Sequence, residues 1–217
     1  MKYLPSIVML TMFLGCGAPA EQSRKPSAEE AFDTQLTIAL AETMIEAKAH
    51  QNAVQMLRKA RHRNPEDPRI IYLLATVLRD RGAYDQAERE FFAALKLDAK
   101  LAPAHGGLAL TYDLMSRYAQ AEVHHQKAIE LSPKTPRFHN NYGFSLYLAG
   151  RFKDAKRAYE EAIRLDPSSP TPYVNLGFAL ARMGQEEPAM RAFRQVISEA
   201  ESFNNLALAY ELNGERG

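Results

Sequence analysis

PRFHNNYGFSLYLAGRFKDAKRAYEEAIRLDP, residues 136–167, is the stretch from which the rest of the chain is read. Its first half spaces Phe138, Tyr142, Leu146 and Ala149 three and four residues apart, which is one face of a helix. After a break at Ala149-Gly150-Arg151, the second half repeats that spacing with Phe152, Ala155, Tyr159, Ala162 and Ile163. Gly143 and Ala155 are small where the two helices of a hairpin must approach closely. The pattern then recurs. Thirty-four residues on, Gly177, Gly184, Ala189 and Phe193 stand in place of Gly143, Gly150, Ala155 and Tyr159. Thirty-four residues back come Ala109, Tyr118, Ala121, His125 and Ala128, and one step further Ala75, Gly82, Ala87, Phe91 and Ala94.

A fixed period with helix, tight turn and helix means a solenoid, in which each module buries its apolar face against its neighbours. On these residues the chain resembles the tetratricopeptide-repeat family. Tyr142-Gly143, Leu146, Ala155, Tyr159, Ala162 and Pro167 match the family pattern well, while the chain has no Trp, His125 replaces an aromatic, and Asp98-Ala99 replaces the usual Asp-Pro. The resemblance implies an all-α solenoid of about five helix-turn-helix repeats, at about 34–67, 68–101, 102–135, 136–169 and 170–199. A final helix over 201–213 follows, because Asn205 to Gly214 align with Asn175 to Gly184 at an offset of 30. The first repeat is degenerate, with Lys48 and His50 in the turn, as suits a module whose outer face meets water. The last helix, with Leu208 and Leu212 on its outward face, is expected to act as a simple cap; the alternative is an edge covered by a partner, a second copy or further sequence.

Residues 1–15 read as a lipoprotein signal: Lys2, a short apolar run from Ile7 to Leu14, then Gly15-Cys16. The run is far too short to span a bilayer as a permanent helix. Phe13-Leu14-Gly15-Cys16 resembles a bacterial lipobox, which implies acylation of Cys16, the chain's single cysteine, as the first mature residue. Several acyl chains hold a protein to a membrane essentially permanently. Gly17 after the cysteine implies sorting to the outer membrane, on the periplasmic face. Residues 16–27 form a flexible tether that leads to the 28–217 solenoid, with Ser27-Ala28-Glu29-Glu30 fitting a capping box. Its reach is roughly 18 Å typically and near ~36 Å at full extension.

Residues 1–15 hold one of the 27 basic residues and none of the 26 acidic ones, so the mature chain is formally neutral. No basic tail or patch argues for nucleic acid, and nothing beyond the anchor argues for an anionic membrane surface. Candidates for chemistry are few. His124-His125 point about 100° apart on a helix and cannot chelate one metal together. His105 and His139 occupy the large-residue position near their helix starts, where a half-buried structural role is expected. The sequence contains no phosphate loop, nucleophile elbow or helical zinc motif, so neither an enzyme nor a cofactor is expected.

Function is therefore expected from a surface. The family resemblance implies that the first helix of each repeat lines a concave groove. Carried over, this assigns client binding to Tyr72, Thr76 and Arg79 in the second repeat, and to Leu110 and Asp113 in the third. Asn140, Asn141, Phe144 and Tyr147 follow in the fourth, and Asn175 and Phe178 in the fifth. Tyr72, Leu110, Phe144, Tyr147 and Phe178 make this curve apolar, which suits an amphipathic helix or apolar peptide. Gly106-Gly107 are expected to leave room for a ligand backbone. Asn141, Asn175 and Asn205 recur at one position and offer both donors and acceptors to an extended peptide. A clamp for C-terminal carboxylates is disfavoured, because Ile38 and Glu42 stand where it needs Lys and Asn.

Lipobox, short tether and the HNNYGFSLYLAGRF stretch together resemble the outer-membrane lipoproteins of pilus machines, first that of the tight-adherence (Tad) pilus and next the type IV pilus pilotin. The resemblance implies assistance to assembly or placement of a secretin ring through a segment of the secretin subunit. The alternative is a periplasmic adaptor that docks envelope proteases or peptidoglycan enzymes.

Overall fold

The computed structural model describes residues 27–214; the signal segment, Cys16 and most of the tether lie outside the described residues. Eleven helices and no strand make up the described chain. They run α1 (Ala28–Glu46), α2 (His50–Arg63), α3 (Pro68–Asp80), α4 (Tyr84–Leu97), α5 (Ala102–Leu114) and α6 (Tyr118–Leu131). Then come α7 (Pro136–Leu148), α8 (Phe152–Leu165), α9 (Pro170–Arg182), α10 (Glu186–Phe193) and α11 (Glu199–Gly214). Odd and even helices pair into hairpins, and each hairpin stacks on the next, so the core runs along the stack as a series of buried clusters.

The turns explain the pairing. Gly82, Gly150 and Gly184 sit at φ +78°, +76° and +71°, and Lys48 and Ser116 take the same left-handed conformation at the equivalent places, φ +55° and +59°. At each turn the next amide reaches back across the helix end: Ala49 N–H to Met44, Ala83 to Leu78, Arg117 to Tyr112, Arg151 to Leu146 and Gln185 to Leu180, all at 2.8–3.0 Å. This is the Schellman ending, which satisfies carbonyls the helix leaves open and turns the chain back on itself. Proline at the first or second position of α3, α5, α7 and α9 starts each new repeat where its missing N–H costs nothing.

Small-against-large packing fills the core. Ala53, Ala87, Ala121, Ala155 and Ala189 are fully buried in the second helices, and so, one turn on, are Leu57, Phe91, His125, Tyr159 and Phe193. Glutamates bridge successive repeats on the outer side. Glu88 accepts from Tyr112 Oη (2.8 Å) and pairs with Arg117 (3.4 Å); Glu122 accepts from Tyr142 Oη and pairs with Arg151, both at 2.8 Å. Burial and the neighbouring Glu88 carboxylate push the Tyr112 phenol up to about 12. The last hairpin departs from the rest: α10 has only 8 residues against 14 in α4, α6 and α8, and α11 folds over α9 and α10 through Leu206 and Ala209. Phe203 and Leu208 remain exposed.

Candidate peptide-binding groove

The first helices of the repeats line a concavity of about 400 Å³. Ile45, Glu42 and Glu46 of α1 form one end, Tyr72, Thr76, Arg79 and Asp80 of α3 and Leu110 of α5 the middle, and Arg137 and Asn141 of α7 the other end. Five of the residues expected in the groove thus meet there: Tyr72, Thr76, Arg79, Leu110 and Asn141. Tyr72 is half-buried, its ring 6.2 Å from that of Phe91, and Leu110 is half-buried on the floor. Arg79 is held by Asp80, with Nε and Nη2 donating to Oδ1 at 2.8 and 2.7 Å. The Thr76 hydroxyl donates within its own helix to the Tyr72 carbonyl (3.0 Å), so its methyl is what it offers a ligand. Charge is divided along the hollow, with acids at the α1 end and Arg137 at the α7 end.

Farther along, the expected apolar curve is interrupted. Phe144 is 43% exposed on α7. Tyr147 packs edge-on against Phe152 (centroids 5.4 Å) and Phe178 edge-on against Phe193 (5.3 Å), so each spends one face on the second helix of its own hairpin. Asn175 Nδ2 donates to Asn140 Oδ1 (2.9 Å), which ties α9 to α7 and uses part of the amide capacity expected for a peptide.

One expectation is corrected and another is refined. Asp113 does not face the groove. Its side chain is 4% exposed and turned inward, where Ser145 Oγ donates to Oδ1 (2.6 Å) and His125 Nε2 to Oδ2 (2.8 Å). His125 replaces the usual aromatic ring, and its buried nitrogen demands an acceptor that Asp113 supplies. Gly106 and Gly107 do line the hollow, but their missing side chains also serve the core. A Cβ at Gly107 would lie 2.5 Å from the Phe91 ring, and one at Gly106 would lie 2.9 Å from Phe138, so aromatic rings pack on the side a Cβ would take.

The sequence reading also missed a histidine contact. His105 and His124, on the two helices of one hairpin, stack with centroids 5.3 Å apart and Nδ1 atoms at 3.0 Å, beside Phe92 and Tyr112. One Nδ1 must be protonated and the other not. Among the described residues no group of three or more His, Cys, Asp or Glu is placed to hold a metal. Burial first, then the neighbouring imidazoles, lowers His124 to about 4, and burial likewise lowers His105. Because the folded value lies below the ordinary 6.5, the unfolded chain binds more protons in the interval between them. Stability is therefore complete above about pH 6.5 and declines as pH falls toward about 4. In urea titrations across that range, His124→Phe is expected to fall less steeply than the parent; parallel curves would contradict this.

Family models of the tetratricopeptide repeat match residues 44–110 and 170–203, and a further TPR repeat model matches residues 143–184. No curated protein matches the chain in sequence. Among solved structures, PilF of Pseudomonas aeruginosa is similar at 22% identity and a TM-score of 0.72, over 84% of this chain and 86% of that one. TTC0263, a thermophilic TPR protein of Thermus thermophilus, is similar at 19% identity and 0.69, over 82% and 98%. MamA (41-end) of Desulfovibrio magneticus RS-1 is similar at 20% identity and 0.64, over 78% and 96%. Likenesses at these identities speak to the fold.

Proposed function

Since the chain is a tetratricopeptide-repeat solenoid, a fold that binds protein and peptide partners, we propose that it holds a client segment in the hollow of its first helices. The observation that carries this reading is the convergence of Tyr72, Thr76, Leu110 and Asn141 from three successive repeats on one concavity. Apolar floor and charged ends suit an amphipathic segment, whose anchors enter the hollow while its polar edge meets Glu42, Glu46 and Arg137. The solenoid acts as a scaffold without chemistry of its own.

In this reading the protein is an outer-membrane lipoprotein facing the periplasm, moored through Cys16, and its tether raises the effective concentration of the client at the membrane. The resemblance of the lipobox and the HNNYGFSLYLAGRF stretch to pilus-machine lipoproteins supports a segment of a secretin subunit as the client. Capture from detergent-solubilised envelopes tests this, comparing the parent with the double variant Leu110→Glu plus Phe144→Glu. Both side chains are partly or fully accessible, so the helices should form unchanged by circular dichroism. Recovery of the client is expected to fall by about tenfold or more, the scale of losing central apolar anchors. Equal recovery would remove the groove from the mechanism, and the identity of the captured protein separates secretin assembly from adaptor roles.

A further inference from the structure

Charge that balances over residues 16–217 is segregated in the structure. Helix α2 carries no acid and ends Arg58-Lys59-Ala60-Arg61-His62-Arg63. A second concavity, about 600 Å³, opens beside α2 on the opposite side of the repeat stack from the groove residues; Arg58, Arg61, His62 and Arg89 line it above an apolar floor of Leu74 and Leu78. Glu90 is its one acid and is already engaged by Arg61 at 2.6 Å. Arg58 and Arg89 have no carboxylate partner among the described residues. Three guanidiniums around one hollow are built to receive phosphate oxygens, which they bind with paired N–H donors.

We propose that this end of the solenoid docks on an anionic phospholipid bilayer, with headgroup phosphates received by Arg58, Arg61 and Arg89. Two observations favour a lipid surface over an acidic protein. The Arg63–Asp33 pair (3.6 Å) places the end of α2 beside the first turns of α1, where the 26 residues preceding Ser27 join the solenoid. At that same end Phe32 is 72% and Leu36 50% exposed, one helical turn apart on a single face of α1. Exposed aromatic and aliphatic side chains next to arginines suit the headgroup boundary, where the rings enter and the guanidiniums stay with phosphate. The proposal rests on the lipid-anchored reading above and adds an orientation to it: the membrane meets the basic hollow, and the groove is left free for the client. It also reverses the expectation, drawn from the neutral total, that nothing beyond the anchor recognises an anionic surface.

The test uses the chain from residue 16, its mature form in this reading, with Cys16→Ser so that no acyl chain contributes. Co-sedimentation is measured with phosphatidylcholine vesicles and with equal-part phosphatidylcholine–phosphatidylglycerol vesicles. Partition into the mixed vesicles is expected to exceed that into the neutral ones by about tenfold or more and to weaken as salt rises. Arg58→Glu plus Arg89→Glu, two surface changes that leave the Arg61–Glu90 pair intact, should abolish the preference while helicity is retained. Phe32→Ser should weaken binding to the mixed vesicles. Equal partition into both vesicles, or a preference that survives the double reversal, overturns the proposal. So does arginine-dependent capture of poly-glutamate without vesicle binding, which assigns the hollow to an acidic protein. Inorganic phosphate that removes vesicle binding where sodium chloride of the same ionic strength does not would assign it to a free anion instead. Mass spectrometry of the native mature N-terminus reads Cys16 acylation separately, so loss of the anchor reading is distinguishable from loss of this one.

Discussion

Asp113→Ala is expected to lower the stability of the solenoid by about 3 to 5 kcal/mol, because it leaves His125 buried without its acceptor. The two side chains are 1% and 4% exposed, so no water reaches the abandoned nitrogen. Ser145 also loses its acceptor, at 2.6 Å, in the same substitution. Ser145→Ala removes one donor but leaves the histidine paired, so it should cost only about 1 kcal/mol. Urea unfolding of the two variants gives the comparison. A loss for Asp113→Ala no larger than that for Ser145→Ala would contradict the buried network. Client capture supplies an independent check: with Asp113 turned into the interior, folded Asp113→Ala should still bind, whereas a groove residue would lose client without losing stability.

Gly107→Ala carries the second large effect. Alanine is the better helix former by up to about 1 kcal/mol, so a purely local argument predicts a gain. The packing argument opposes it, since the added carbon meets two atoms of the Phe91 ring at 2.5 Å and that ring is fully buried. Overpacking of this kind costs about 1 to 3 kcal/mol and outweighs the propensity. We expect a net loss of about 2 kcal/mol, with Phe91→Leu in the same chain cancelling part of it. Thermal unfolding of the single and double variants decides the point: a stabilised Gly107→Ala would mean that the Phe91 ring yields to the added carbon.

These two sites mark where sequence reading stopped. The fold was legible because a strict interval of thirty-four residues puts Ala155 and Tyr159 in the same surroundings as Ala87 and Phe91, and only stacked hairpins satisfy that repetition. The left-handed turns at Gly82, Gly150 and Gly184 follow from the same interval. The groove was legible in part. Position within the repeat brought Tyr72, Thr76, Arg79, Leu110 and Asn141 to one hollow, but position alone does not say whether a ring finds a partner inside its own hairpin, as Phe178 does on Phe193. Asp113 lies where α5 passes between groove and interior, and the imidazole opposite it tipped the side chain inward. A histidine in place of the aromatic at 125, with an acid on the preceding helix, was the available signal. The His105–His124 contact joins residues 19 apart on antiparallel helices, which periodicity of a single helix does not reveal. Net charge was silent for a simpler reason: a sum of zero says nothing of where α2 puts its arginines.

A photo-crosslinkable residue decides where the client sits. Incorporated in place of Leu110, on the floor of the hollow, it is expected to trap one envelope protein on irradiation of intact cells. The same residue in place of Val123, which is 62% exposed on α6 of the same repeat and outside the hollow, is expected to trap none. An adduct from Val123 alone, or equal yields from both positions, would contradict a scaffold that works through its first helices.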